Sequence, residues 1–303
     1  MKSKQYIQTL ILILISNFIF GQEAEKVILS DSGNYYLKFI PKGKPIGVLV
    51  IINGGGENPS DVMKQITLHK LAVEKNMIVI FPAINNDTEE LKLLDIIFKQ
   101  ITEKHKVPKD KFILGGLSGG GMLSLTYAET ANKGRHNTFI IPKAIFAIDP
   151  PLDYAHLYYQ SKRDVERNFS QVAVNEGKWL MDGFVKKYGG TPEEVPKEYI
   201  KGSIYSHGEK DGGNAKYLIN TPVRIYTEPG IEWQMKNRQR DLYDLNCIDI
   251  SAMINLLQLQ GNKDAEIVVT YNKGVRLDGT KHPHSWSIMD SNDCLKWILK
   301  QLE

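Results

Sequence analysis

The sequence predicts an α/β protein with a mostly parallel sheet and helices on both of its faces. Apolar runs of strand length alternate with amphipathic segments of helix length along most of the chain, the order that builds parallel sheets. Runs such as "IGVLVII" are apolar throughout, as in strands buried on both faces. A chain of 303 residues, 42% of them hydrophobic, can also bury a substantial core.

Strands and helices are predicted in order along the chain. "KVIL" (26–29) and "YYLKFI" (35–40) predict an opening antiparallel pair. Further strands are predicted at 46–52, 77–83, 111–116, 143–149, 222–227 and 266–271. The helices predicted between and after them cover about 60–75, 88–105, 119–132, 240–261 and 291–303.

The alternation is interrupted between residues 150 and 220. This stretch is rich in Tyr, Lys and Gly and contains helical pieces but no clear buried strand. It is predicted to be a cap or lid inserted after the sixth strand of the sheet. Its aromatic residues would mostly form the cap's own small core.

The N-terminus has the pattern of a secretory signal peptide. Lys2 and Lys4 precede an apolar run over about 7–20, which ends at Gly21. A helix that spans a membrane needs about 20 apolar residues, more than this run provides. We therefore expect cleavage after residue 21, a mature domain over 22–303 without a stable membrane span, and export to the periplasm or beyond the cell.

Charge and cysteine content restrict the function classes. The 38 basic and 35 acidic residues nearly cancel, and no basic stripe with interleaved aromatics suggests a nucleic-acid partner. Cys247 and Cys294 fit no metal-site spacing; in an exported protein they could form a disulfide or remain buried thiols.

Residues 112–122 read "FILGGLSGGGM", which places Ser118 in a G-x-S-x-G motif between a strand and a helix. A nucleophilic serine at such an elbow has a strained backbone, and bulky residues at Gly116 and Gly120 would not fit. The helix beginning at Gly119 would direct N–H groups at an oxyanion. A phosphate-binding loop is the alternative, but the lysine and spacing of a P-loop are missing.

The order of elements and the "GLSGGG" elbow resemble the α/β-hydrolase superfamily, over about residues 26–303 without the cap. The resemblance implies an eight-stranded sheet and an oxyanion hole after the third strand. It also implies an acid after the seventh or sixth strand and a histidine after the eighth.

"IINGGGE" (51–57) lies where the superfamily has its oxyanion loop, with Asn53 in place of a frequent histidine. The function of that loop depends on backbone N–H groups, so Asn53 is compatible with it. The resemblance implies Gly55 as one donor and Gly119 as the second.

"KHPHSW" (281–286) follows the last predicted strand, where the superfamily has its general base. His284 is favoured over His282 because the ending "HSW" resembles that of many esterases of this fold. A metal site with Asp290 or Asp293 would lack a third ligand cluster. The remaining histidines are expected at the surface or in structural roles: His69, His105, His136, His156 and His207.

The acid is chosen among several carboxylates. Glu232 lies a few residues beyond the strand at 222–227 and is preferred, with Glu228 next. Asp211, in a stretch that imitates a strand followed by His-Gly, is a third candidate. Asp149, at the end of the sixth strand, is a fourth, at the superfamily's other acid position.

The resemblance implies an exported serine hydrolase that cleaves carboxylic esters through an acyl-enzyme on Ser118, without cofactor or metal. A small-molecule or polysaccharide-linked ester is the expected substrate. A serine peptidase with the same triad and a non-catalytic binding protein of the same fold are the alternatives.

Overall fold

A computed structural model describes residues 24–29, 33–84, 89–134 and 138–303. The predicted signal peptide at 1–21 lies outside these residues. In the described chain, eight strands form one sheet in the order β1-β2-β4-β3-β5-β6-β7-β8. The strands are β1 Glu25–Ile28, β2 Tyr35–Phe39, β3 Gly47–Ile52, β4 Met77–Ala83, β5 Phe112–Leu117, β6 Ala144–Ile148, β7 Val223–Thr227 and β8 Ala265–Val269.

The sheet is mixed but mostly parallel. β2 pairs antiparallel with β1 and with β4, and every other neighbouring pair, from β4-β3 to β7-β8, is parallel. The predicted antiparallel opening and the parallel body are thus confirmed. The carboxyl ends of β3, β5, β6, β7 and β8 consequently lie along one edge of the sheet, where a site can form.

Ten α-helices accompany the strands in the described residues. They are α1 Pro59–Gln65, α2 Leu68–Glu74, α3 Glu90–His105, α4 Gly119–Lys133, α5 Tyr154–Arg167, α6 Gln171–Tyr188, α7 Pro196–Gly202, α8 Ile231–Arg238, α9 Asn246–Leu259 and α10 Ser291–Leu302. None of them is long and apolar enough to cross a membrane.

Two helix predictions differ from the structure. The helix predicted over 60–75 is two helices, because the extended backbone of Ile66 (φ −129°, ψ 153°) interrupts it and buries that side chain. The helix predicted from 240 begins at Asn246, after a 3-10 turn over Leu242–Asp244 that Asp241 caps. The short helix α8 was not predicted.

The core has two layers, one on each face of the sheet. In β3, Val48 and Val50 pack with residues of α3, α4 and α9, whereas Leu49 and Ile51 pack with residues of α2 and α10. Alternate side chains of a strand point to opposite faces. A strand covered on both faces therefore reads as the continuous apolar run seen in the sequence.

The predicted cap interval, 150–220, contains α5, α6, α7 and a 3-10 helix over Gly213–Leu218, and we refer to it as the cap segment. Its helices have a small apolar cluster of their own, formed by Tyr154, Leu157, Tyr158, Phe184 and Tyr199. Trp179, by contrast, is 67% exposed.

Cys247 and Cys294 are both buried free thiols. Burial raises the pKa of each thiol to about 12, so both stay protonated at neutral pH and are poor nucleophiles. Among the described residues no group of three or more His, Cys, Asp or Glu side chains could hold a metal ion.

Candidate active site

Ser118 occupies the turn between β5 and α4 with φ 52° and ψ −117°. A positive φ is rare for a residue with a side chain and strains the backbone. Neighbouring elements hold the turn in place: the Ser118 N–H donates to the carbonyl of Ile148 in β6 at 2.9 Å, and the Ser118 carbonyl accepts from Met122 in α4 at 2.9 Å. This is the strained strand-turn-helix geometry of a nucleophile elbow.

The glycines two residues before and after Ser118 allow close contact with β3. A Cβ on Gly116 would lie 2.3 Å from the carbonyl oxygen of Ile52, and one on Gly120 would lie 2.2 Å from the same oxygen. Neither distance is possible for a real Cβ, and the obstructing atom is backbone. Both positions therefore require glycine if β5 and α4 are to meet the end of β3.

The loop after β3 lies next to the elbow. A Cβ on Gly119 would be 3.9 Å from the backbone nitrogen of Gly55, and no atom lies within 4 Å of a Cβ on Gly55. Gly55 and Gly119 are both exposed. The backbone nitrogen of Gly55 thus lies close to Gly119, on an open surface beside Ser118.

Glu57 holds this loop in place, a role that the sequence analysis did not identify. Its Oε2 accepts hydrogen bonds from the N–H of Gly54 at 3.0 Å and from Nε1 of Trp286 at 2.9 Å. Its Oε1 accepts from Gln65 at 2.8 Å, and its carbonyl accepts from Nδ2 of Asn53 at 2.9 Å. One carboxylate therefore joins the glycine loop to the fully buried tryptophan of the "HSW" segment.

His284 lies in the long loop after β8, and its Nδ1 is 2.7 Å from Oδ2 of Asp149. His282, the other sequence candidate, contacts no carboxylate in the described residues. Its Nε2 is 3.0 Å from Nη2 of Arg276, and its Nδ1 is 3.1 Å from the His284 nitrogen. Burial, together with the nearby Arg276, lowers the pKa of His282 to about 3. His284 is thus the histidine with a carboxylate partner.

The acid preferred from the sequence, Glu232, is not the one that the structure pairs with His284. Asp149 takes that position, at the end of β6. The strand register explains why. Leu117 of β5 lies opposite Ile148 of β6, so Ser118, which follows β5, lies beside Asp149, which follows β6. The elbow and the acid are therefore neighbours.

Asp149 is buried and oriented on several sides. Its Oδ1 accepts from Oγ1 of Thr227 at 2.7 Å, and its backbone carbonyl accepts from Nδ2 of Asn246 at 2.9 Å. Its own backbone has φ 45°. Its Oδ2 contacts His284 at 2.7 Å and also accepts a longer hydrogen bond from Asn246 Nδ2 at 3.5 Å, an arrangement that suits an acid that must hold one tautomer of the ring.

The other acid candidates have different partners. Glu228 accepts from Thr270 Oγ1 and from the N–H groups of Lys273 and Gly274 at 2.8–3.1 Å, and so braces the loop after β8. Glu232 is exposed in the first turn of α8. The remaining candidate, Asp211, pairs with Lys216 at the surface.

Several solved hydrolases have a similar architecture. S-formylglutathione hydrolase from Agrobacterium tumefaciens matches with a TM-score of 0.53 and 13% identity, over 92% of this chain and 95% of that one. A hyperthermophilic esterase from Pyrobaculum calidifontis matches with a TM-score of 0.55 and 15% identity, over 92% of this chain and 82% of that one. Acylaminoacyl peptidase from Pyrococcus horikoshii matches with a TM-score of 0.57 and 12% identity. The match covers 92% of this chain but only 41% of that one.

No family model matches the chain, and no curated protein matches it either. At 12–16% identity, the structural likenesses establish a shared architecture. Together with the eight-stranded sheet and its order, they show that the chain has the α/β-hydrolase fold.

Proposed function

We propose that this chain is a serine hydrolase that cleaves carboxylic esters through an acyl-enzyme on Ser118. The observation that supports it most is the arrangement at one sheet edge. A strained serine lies beside a buried aspartate, and that aspartate contacts His284 at 2.7 Å. Fold alone does not define a function, so the proposal depends on these side chains.

Each side chain has a defined role in this proposal. The Nδ1–H of His284 donates to Asp149, which leaves Nε2 unprotonated and able to take the proton of the Ser118 hydroxyl. Oγ then bonds to the ester carbonyl carbon, and the N–H groups of Gly55 and Gly119 stabilise the negative oxygen. The histidine returns the proton to the leaving alcohol as the C–O bond breaks.

The second half-reaction releases the acid. His284 removes a proton from water, whose oxygen attacks the acyl carbon of the Ser118 ester. The tetrahedral intermediate collapses when the Ser118 oxygen leaves and takes the proton back from the imidazolium. The free carboxylic acid departs, and the serine and the neutral histidine are restored.

An activity-based label tests the proposal. A fluorophosphonate should modify the purified wild-type protein on Ser118, as mapped by mass spectrometry. Ser118→Ala and His284→Ala should not be labelled, whereas His207→Ala, which alters a histidine of the cap segment, should be. Absence of an adduct on wild-type Ser118, or labelling that persists in His284→Ala at the wild-type rate, would contradict an activated serine.

Substrate turnover separates esters from peptides. 4-Nitrophenyl acetate and acetylated or feruloylated sugars should be hydrolysed, and N-acylated peptides should be cleaved far more slowly. Of the similar structures, one is named as an esterase, one as an S-formylglutathione hydrolase and one as a peptidase. A higher kcat/KM for the peptides would favour the peptidase. Export, proposed from residues 1–21, would be tested by fractionating cells that express the full chain.

A further inference from the structure

A group of basic side chains lies beside the His284 loop, at the end of α8. The Arg238 guanidinium carbon is 5.9 Å from the centre of the Trp233 ring. That ring centre is 4.3 Å from the ring centre of His282, which in turn is 6.5 Å from that of His284. Arg276, which is exposed, contacts His282 from the other side. The group is therefore next to the proposed catalytic histidine and open to solvent through Arg276.

Arg238 differs from Arg163, Arg167 and Arg240 in having no carboxylate partner. Arg163 and Arg167 pair with Asp244, and Arg240 pairs with Asp164. In the part of the chain that the structure describes, no acidic side chain lies within ion-pair distance of Arg238.

The Arg238 side chain is also shielded from water. The residue is 9% exposed, and its Nη1 is buried without a hydrogen-bond partner among the described residues. Burial and the nearby Arg240 lower its pKa, although Glu176 and Asp164 of the cap segment act in the opposite direction. A buried guanidinium nitrogen without an acceptor is costly, which points to a ligand that supplies one.

His282 gives an independent sign of a missing acceptor. A neutral imidazole can accept a hydrogen bond at one ring nitrogen only, because the other carries hydrogen. Both nitrogens of His282 face donors, namely the His284 N–H at 3.1 Å and Arg276 Nη2 at 3.0 Å. Whichever tautomer is present, one ring N–H points at another N–H. An anion at this position would accept from the donors that the ring cannot satisfy.

We propose that Arg238 and Arg276 bind a carboxylate of the substrate, so that the ester cleaved at Ser118 is an anionic one. This inference depends on the proposed hydrolase function. The planar fork of arginine matches the two oxygens of a carboxylate. Trp233 would pack against the apolar part of the same substrate group. The site would thus select esters that also carry a carboxylate.

Matched ester pairs test the proposal. One pair carries the charge in the acid part: 4-nitrophenyl hemisuccinate and its methyl ester. The other carries it in the alcohol part: 3-acetoxybenzoate and its methyl ester. The wild-type enzyme should hydrolyse the charged member of at least one pair with a kcat/KM about tenfold higher, the usual scale for a charged hydrogen bond.

Two variants test whether the preference for the charged ester depends on the two arginines. Arg238→Gln and Arg276→Gln should each remove most of it, measured as the ratio of kcat/KM between the charged and the neutral member of each pair. Lys236→Gln removes an exposed positive charge from the same helix and should keep the preference. Arg276 is exposed, so its substitution remains informative if Arg238→Gln folds poorly.

The outcomes separate this inference from the hydrolase proposal. Turnover of both members of each pair at equal rates would overturn the carboxylate site while leaving the esterase intact. A preference that survives in both arginine variants would overturn it as well. Absence of turnover of all four esters, together with no fluorophosphonate adduct on Ser118, would instead overturn the hydrolase function itself.

Discussion

The protein contains two histidine–aspartate contacts of nearly equal length in very different regions. At the sheet edge, His284 Nδ1 lies 2.7 Å from Asp149. Where the cap segment meets α9, His156 Nδ1 lies 2.8 Å from Asp249, which His207 also contacts at 2.9 Å. Contact distance alone would therefore assign the same role to both.

The second ring nitrogen distinguishes them. Nε2 of His156 is 2.7 Å from the carbonyl of Tyr243, so both of its nitrogens face acceptors and the charged ring is favoured. No hydrogen bond occupies Nε2 of His284 in the described part of the chain. A base needs a free nitrogen and a cation needs two acceptors. The first pair is thus suited to proton transfer, and the second to joining the cap segment to the body.

Replacing Asp149 with asparagine should have the largest effect on catalysis. Asp149→Asn should lower kcat about 10⁴-fold, because the histidine loses the partner that fixes its tautomer. Glu232→Gln is the matched control, since that carboxylate is exposed and was the acid preferred from the sequence. Steady-state ester hydrolysis measures both. Normal turnover in Asp149→Asn, or a severe loss in Glu232→Gln, would return the acid's role to α8.

Sequence reasoning found the acid's candidates, Asp149 among them, but preferred Glu232. Asp149 and Glu228 each follow a strand whose end lies at the right edge. They differ in the partners that their carboxylates meet. Glu228 is satisfied by the loop at 270–274, and Asp149 keeps one oxygen for His284. Such a choice depends on contacts distant in sequence, which a strand-end rule does not contain.

The sheet and the elbow were more predictable, because local patterns determine them. Continuous apolar runs identify strands covered on both faces. The glycines around Ser118 reflect a contact between adjacent elements. The glutamate of "IINGGGE" was visible in the sequence, but its link to Trp286 spans 229 residues. No local pattern reveals a contact of that range.

Glu57→Ala should have the second-largest effect on catalysis. The N–H of Gly54 and Nε1 of Trp286 both donate to Oε2 of Glu57, and alanine removes that acceptor from both. The oxyanion loop would then move, and kcat should fall about 10²-fold with little change in KM, because the donors act in the transition state.

Gln65→Ala is the control for this variant, since it removes only the third partner of the carboxylate. It should retain most of kcat. Thermal unfolding of both variants would show whether the fold is intact. A rise in KM alone for Glu57→Ala would mean that Glu57 acts on substrate binding and not on the oxyanion loop.

At the second pair, Asp249→Asn should affect stability and not catalysis. The carboxylate is buried and holds two histidines, so its loss should lower the free energy of unfolding by about 3 kcal/mol near pH 6 while kcat stays within a factor of two. Asp211→Asn breaks an exposed pair with Lys216 and should cost less than about 1 kcal/mol. Urea unfolding compares the two. An equal loss in the free energy of unfolding for the two variants would show that the buried contact stabilises the fold no more than the exposed one.

The pH dependence of stability gives the smallest expected effect. Burial opposes the charge of His156, but its bonds to Asp249 and to the Tyr243 carbonyl outweigh burial and raise its pKa. A raised pKa stabilises the fold fully below the ordinary value of about 6.5 and loses that stabilisation as the pH rises through the folded value. The pKa of Asp249 is lowered despite burial by its bonds to His156 and His207, so its own contribution is complete above about pH 4. Wild-type stability should therefore fall from pH 6 to pH 9 through this pair. In His156→Gln the decline over that range should be shallower, and parallel slopes in the two proteins would mean that His156 is neutral in the fold and joins the cap segment without its charge.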